Sequence, residues 1–125
     1  MNLLHHKMNR KRKAHKWGAM AEHIAALLLM LKGYRLLARN YRRRAGEIDI
    51  VACRHKLLVF VEVKFRADPS TVSYAIAPRQ WRRIEAAAMR FVAEHPTYQS
   101  YMWRFDGILL APFPRHRKDI YRNFD

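Results

Sequence analysis

Three things are scarce in this 125-residue chain: cysteine, acidic side chains and long uninterrupted apolar sequence. Cys53 is the only cysteine, which excludes an intramolecular disulfide and a cysteine-rich zinc site and suits a reducing cytoplasm. The longest apolar run, Ile24 to Leu31, is too short to cross a bilayer and is bracketed by Glu22 and Lys32, so it reads as a core helix and no membrane partner is expected. The basic N-terminus is not followed by an apolar segment and small-residue cleavage site at signal-peptide spacing, so a cytoplasmic location is expected. The seven histidines show no ligand pairing beyond the adjacent His5 and His6, and a zinc site is not expected.

The shortage of acid is matched by an excess of base. Twenty-five Lys and Arg against ten Asp and Glu give a net charge of +15, whose self-repulsion opposes compaction unless an anionic partner offsets it. A nucleic acid is the expected partner, DNA ahead of RNA, because cationic side chains release condensed counterions from phosphates and arginine adds bidentate geometry. Lys7, Arg10, Lys11, Arg12, Lys13 and Lys16 crowd the start with little apolar periodicity, so residues 1–17 read as a basic, flexible arm. With 50% hydrophobic and 12% aromatic residues, the remaining 18–125 suffice for a single domain with one core.

The pattern predicts an amphipathic helix over 19–32, with Met20, Ile24, Leu27, Leu28 and Leu31 on its apolar stripe and Gly33 as its stop. A short strand over 34–41 and an arginine-rich turn over 42–46 follow, then strands over 47–53 and 57–65 paired as an antiparallel hairpin. Two prolines mark 66–78 as a loop before a helix over 79–94. A strand over 101–111 and an edge strand at Ile120-Tyr121 complete an α/β fold, a central mixed sheet of four to five strands flanked by helices.

Charge inside two of these strands needs a reason. Alternation puts Glu47 and Asp49 on one face of the first hairpin strand, and Glu62 and Lys64 together on the second. Two carboxylates held close on rigid strands repel unless a cation sits between them, and Mg²⁺ or Mn²⁺ is the natural occupant. Such an ion polarises a phosphate and acidifies water, while a lysine two residues from a carboxylate is placed to stabilise developing negative charge. A buried ion pair of Lys64 with Glu62 or Asp49, without metal, is the alternative reading of the same residues.

The runs Gly46-Glu47-Ile48-Asp49-Ile50-Val51-Ala52, Leu58 to Arg66 and Arg104-Phe105-Asp106 resemble the YraN-like family of uncharacterised bacterial proteins, from about Gly18 to Leu110. That family is similar to archaeal Holliday junction resolvases and to the restriction-endonuclease-like superfamily, whose signature is an Asp, a spacer and Glu-x-Lys. The resemblance implies that fold, a metal site of Asp49 and Glu62 completed by Glu22 from the first helix, and a catalytic set of Glu22, Asp49, Glu62, Lys64 and Gln80. Relatives commonly carry Pro-Arg-Lys-Gln where this chain has Pro78-Arg79-Gln80-Trp81, so Gln80 replaces a lysine and supplies no charge. A homodimer is implied by analogy with resolvases, which cut two strands.

Arg42, Arg43 and Arg44 precede one acidic strand, and Arg79 and Arg82 begin the helix that follows the other, so together they are candidates to hold phosphates. Asp106, Trp81 and Cys53 read as structural. The leading expectation is a metal-dependent endonuclease acting on DNA, branched or junction DNA being the class implied by the relatives. The alternative is a non-catalytic nucleic-acid-binding module that keeps the fold.

Overall fold

A computed structural model describes residues 18–66 and 78–120. The basic arm expected over 1–17, most of the loop expected over 66–78, and Tyr121 lie outside them. Within the described residues the elements are α1 (18–31), β1 (Arg35–Arg43), β2 (Gly46–Arg54), β3 (Leu57–Arg66), α2 (Pro78–Glu94), a short 3₁₀ turn (Pro96–Tyr98), β4 (Met102–Ala111) and β5 (Arg115–Arg117). They form a five-stranded sheet in the order β1-β2-β3-β4-β5. The β3/β4 pair is parallel and the others are antiparallel. The α/β class and the mixed sheet with flanking helices are therefore as expected, an arrangement consistent with the restriction-endonuclease-like fold.

Each face of the sheet is covered by one helix. Trp81, Ile84, Ala87, Ala88, Phe91 and Val92 of α2 pack on Ile48, Val51, Leu58 and Phe60. Ala21, Ala25, Ala26 and Leu29 of α1 pack on Ile50, Ala52, Val59, Val61, Ile108 and Leu110. Because β2 and β3 are covered on both sides, residues 50–53 and 58–61 are all buried, which explains their nearly continuous apolar sequence. The hairpin joining them turns at His55 and Lys56, with His55 in the left-handed region (φ 56°).

Gly33 stops α1 as its sequence position suggests. Its φ of +91° closes a Schellman motif, with Gly33 N–H donating to the Met30 carbonyl at 3.0 Å and Tyr34 N–H to the Leu29 carbonyl at 3.0 Å. Tyr34 and Leu29 then bury together.

Three expectations are corrected. The apolar stripe expected to bury α1 faces outward: Met20, Ile24, Leu27 and Leu31 are exposed, and only Leu28 is partly packed. The sheet already carries bulky Ile and Val side chains on that face, so the alanines allow the helix backbone to approach it closely. Arg42 and Arg43 belong to β1, and the turn itself is Arg44-Ala45, because pairing continues to Arg43↔Gly46. The edge strand is Arg115–Arg117, paired with Gly107 to Leu109. Ile120 instead tucks into the core below α2.

Candidate functional site

The two acidic strands meet where the sheet opens. The β2/β3 ladder runs from Arg54↔Leu57 to Ile50↔Val61, whereas β2 continues alongside β1 to Gly46 and β3 continues alongside β4 to Arg66. Asp49 and Glu62 are the next residues on the two strands beyond the last rung. Val63 N–H donates to Asp49 Oδ2 at 2.8 Å, so a side chain takes the role of a missing backbone acceptor and is fixed by it.

Glu62 projects toward α2, where Gln80 Nε2 donates to its Oε1 at 2.8 Å. The family resemblance put Gln80 in the catalytic set, in place of a lysine that relatives commonly carry. The fold gives it a contact with the central glutamate.

Electrostatics sets this pair apart. Burial pushes the Glu62 carboxyl up to about 8, reinforced by the Asp49 charge and opposed by Lys64 and by the Gln80 hydrogen bond. Burial likewise raises Asp49 to about 6, against the stabilising Val63 N–H, with Glu22 and Glu47 adding repulsion and Arg42 attraction. Glu22 of α1 thus acts on Asp49 through its charge, and Lys64, half-buried on β3, acts on Glu62 in the same way. Among the described residues, no three Asp, Glu, His or Cys side chains are grouped closely enough to ligate one metal ion. The donor set that is present, carboxylate oxygens in a half-buried opening with excess negative charge, is the type that suits a hard divalent cation retaining several waters.

A close approach of helix to strand brings the arginine clusters near each other. A Cβ on Gly46 would lie 1.8 Å from the Arg83 carbonyl oxygen, so α2 rests directly on the first residue of β2. Only glycine fits there, and the contact sets the start of α2 against the turn that carries Arg44. Sequence reading took Gly46 for a turn residue and counted Arg83 among the arginines that begin the helix.

Arg42, Arg44, Arg79 and Arg82 are exposed beside this contact. Arg43 differs from them: its guanidinium bonds both oxygens of Glu94 (Nε to Oε1 2.9 Å, Nη2 to Oε2 3.0 Å), and Nη1 donates to the Arg42 carbonyl. The group also lies 4.2 Å from the Tyr41 ring centre. Asp106, Trp81 and Cys53 are buried.

These features carry a family signature that the chain as a whole bears out. The model of the uncharacterised protein family UPF0102 matches residues 21–110, a span that contains Glu22, Asp49, Glu62, Lys64, Gln80 and the arginines Arg42, Arg43, Arg44, Arg79 and Arg82. The chain belongs to this family. The UPF0102 protein bll0669 of Bradyrhizobium diazoefficiens is 50% identical over 105 residues, covering 82% of this chain and 79% of the relative. A UPF0102 protein of Rhodopseudomonas palustris (strain BisB5) is 50% identical over 105 residues, covering 82% and 80%. One from Parvibaculum lavamentivorans is 43% identical over 111 residues, covering 87% and 84%. Membership fits the YraN-like resemblance of the Gly46–Ala52 and Leu58–Arg66 runs. Among the described residues no helix is long and apolar enough to cross a membrane.

Proposed function

We propose that this UPF0102 protein is a metal-dependent nuclease that hydrolyses phosphodiester bonds of DNA, with branched or junction DNA as the substrate class suggested by its resemblance to archaeal resolvases. One observation carries the reading: Asp49 and Glu62 are half-buried at the opening of the sheet with both carboxyls pushed upward, Glu62 by burial and the Asp49 charge, Asp49 by burial and the charges of Glu22 and Glu47. A stable fold gains nothing from this repulsion, and a cationic ligand relieves it.

Asp49 and Glu62 would hold Mg²⁺ or Mn²⁺, with Glu22 adding negative charge from α1. Such an ion, when bound, supplies Lewis-acid polarisation of the phosphate and a more acidic water. The chain's own groups have separable tasks. Asp49 is oriented by Val63 N–H through Oδ2, which leaves Oδ1 for a ligand. Gln80 orients Glu62 through Oε1. Lys64 brings positive charge to the developing charge on the phosphate, and Arg42, Arg44, Arg79 and Arg82 bind flanking phosphates.

The test is incubation of labelled linear, flapped and four-way DNA with Mg²⁺ or Mn²⁺, alongside Asp49→Ala. The substitution is expected to lower cleavage by about 100-fold or more and to abolish the rise in Tm that Mn²⁺ gives the parent protein. Cleavage unchanged in Asp49→Ala would remove this site from the reaction. DNA binding with neither cleavage nor a Mn²⁺ response would favour the non-catalytic binding module.

A further inference from the structure

The outward stripe of α1 has a pattern of its own. Met20 (44% exposed), Ile24 (41%), Leu27 (55%) and Leu31 (78%) follow one another at intervals of four, three and four residues. That is the alternation of a and d positions in a heptad, with β-branched Ile24 at a and Leu27 at d. A helix packed on a sheet needs one apolar face, and α1 already has one in Ala21, Ala25, Ala26 and Leu29. Among the described residues, none of the core packing uses the second face.

We propose that this second face is a self-association surface, on which a second copy of the chain packs its own α1 against α1 about a two-fold axis. Charge selects that occupant. A chain of net charge +15 repels its own copy over most approaches. The stripe and the positions beside it, Ala21, His23, Leu28 and Met30, carry no Lys, Arg, Asp or Glu. Positive groups lie at its margins, where Arg39 Nη2 donates to His23 Nδ1 at 3.0 Å and Lys32 follows Leu31 at the helix end. An acidic partner would be drawn to the arginines and gain nothing here.

A two-fold contact also needs a self-complementary patch, and a short heptad seam is one. The sequence of residues 1–17 places six Lys and Arg among its apolar residues and lacks the four-three-four repeat. Glu22 lies near the sheet-facing side of the helix, opposite the stripe, so pairing leaves the acidic opening accessible. The inference stands apart from the chemistry proposed for Asp49 and Glu62 and does not need it.

The seam, from Met20 to Leu31, is about 17 Å long. A standard interface buries about 800 Å² per partner, and a contact this short calls for a micromolar dimer. Sedimentation of the full chain between about 1 and 200 μM, a range bracketing a micromolar Kd, is expected to show its mass rise from 15.0 kDa toward twice that value. Ile24→Glu and Leu27→Glu are each expected to weaken association by about 30-fold or more, with unchanged melting at low concentration. Because either variant could misfold, methyl NMR of the parent chain provides a second readout. The Met20 and Met30 methyl signals, on and beside the seam, are expected to shift with concentration. A monomer at the top of the range overturns the proposal, as does a dimer that survives both substitutions. Methyl signals insensitive to concentration also overturn it, including the case in which another segment of the same chain covers the stripe.

Discussion

Asp106, buried on β4, and the half-buried Asp49–Glu62 pair on β2 and β3 are carboxylates of one sheet, and the protein treats them in opposite ways. Asp106 accepts from Arg104 Nε (2.8 Å) and Nη2 (2.7 Å), from His116 Nε2 (2.8 Å) and from Asp119 N–H (2.9 Å). Burial alone would raise its pKa, but these donors outweigh burial and hold it below the ordinary carboxylate value. The network extends to Tyr34, whose hydroxyl accepts from Arg104, and to Lys32, which donates to His116 Nδ1. It ties the end of α1 to β4 and β5. Asp49 and Glu62 are instead pushed upward, mainly by burial, and the Asp49 charge adds to the rise at Glu62. A buried charge with full compensation stabilises a fold. One whose proton affinity is raised in an opening costs stability, and a bound cation would offset that cost.

The largest expected effect tests the satisfied side. Asp106→Asn keeps the shape but removes the charge that Arg104 needs, and breaking a buried pair in this way costs about 3–5 kcal/mol. Urea denaturation should show that loss. A change under about 1 kcal/mol would mean that the Asp106 network behaves like a surface pair, and the contrast with the acidic opening would lapse.

Glu62→Gln should have the opposite sign. Below about pH 4.5 the Glu62 carboxyl is neutral whether the chain is folded or not. Between 4.5 and about 8 the unfolded chain ionises while the folded one holds its proton, so stability falls as pH rises through this window and the full cost remains above it. Without divalent ions, Glu62→Gln is therefore expected to stabilise the protein at pH 8 by about 1–2 kcal/mol. The parent's decline between pH 4.5 and 8 should also flatten. Asp106 runs the other way: its contribution is present above 3.8 and is lost as pH falls toward its depressed value. Parallel melting curves across pH, unchanged by Glu62→Gln, would show that the opening carries no such strain.

A smaller effect follows from adding the cation itself. Mn²⁺ at about ten times its Kd stabilises by roughly 1.4 kcal/mol, which should raise the Tm of the parent chain at pH 8. The rise should vanish in Glu62→Gln as well as in Asp49→Ala. A rise of equal size in all three proteins would place the ion elsewhere.

The acidic opening was legible in the sequence because charge stands out inside Glu47 to Cys53 and Leu57 to Phe65, and strand period fixes which residues share a face. The direction in which α1 buries was not. Ala21, Ala25 and Leu29 recur with the same helical period as Ile24, Leu27 and Leu31, and periodicity cannot say which stripe meets a sheet whose bulk is supplied by other segments. The role of Gly46 depends on the backbone of Arg83, far along the chain, and no local signal separates a close-contact glycine from a turn glycine. The Arg43–Glu94 pairing spans 51 positions and is likewise invisible to local pattern.

That pairing extends the comparison from carboxylates to arginines, with the smallest expected effect. Glu94 is held down to about 2 by its bonds from Arg43 and Tyr41, so this trio keeps its charges paired as pH falls from 4.5 toward 2. Burial and the Glu94 bond push the Tyr41 hydroxyl up to about 12, so it stays protonated as a donor. An arginine committed in this way has to break existing bonds before it can grip a phosphate, whereas Arg44 in the adjoining turn is exposed. Arg44→Ala is therefore expected to weaken DNA binding uniformly across sequences and to reduce the salt slope by about 1. Arg43→Ala should leave that slope nearly unchanged and lower Tm instead. If salt titrations give the two variants the same loss of slope, Glu94 does not hold Arg43 back from DNA, and the division between structural and binding arginines fails.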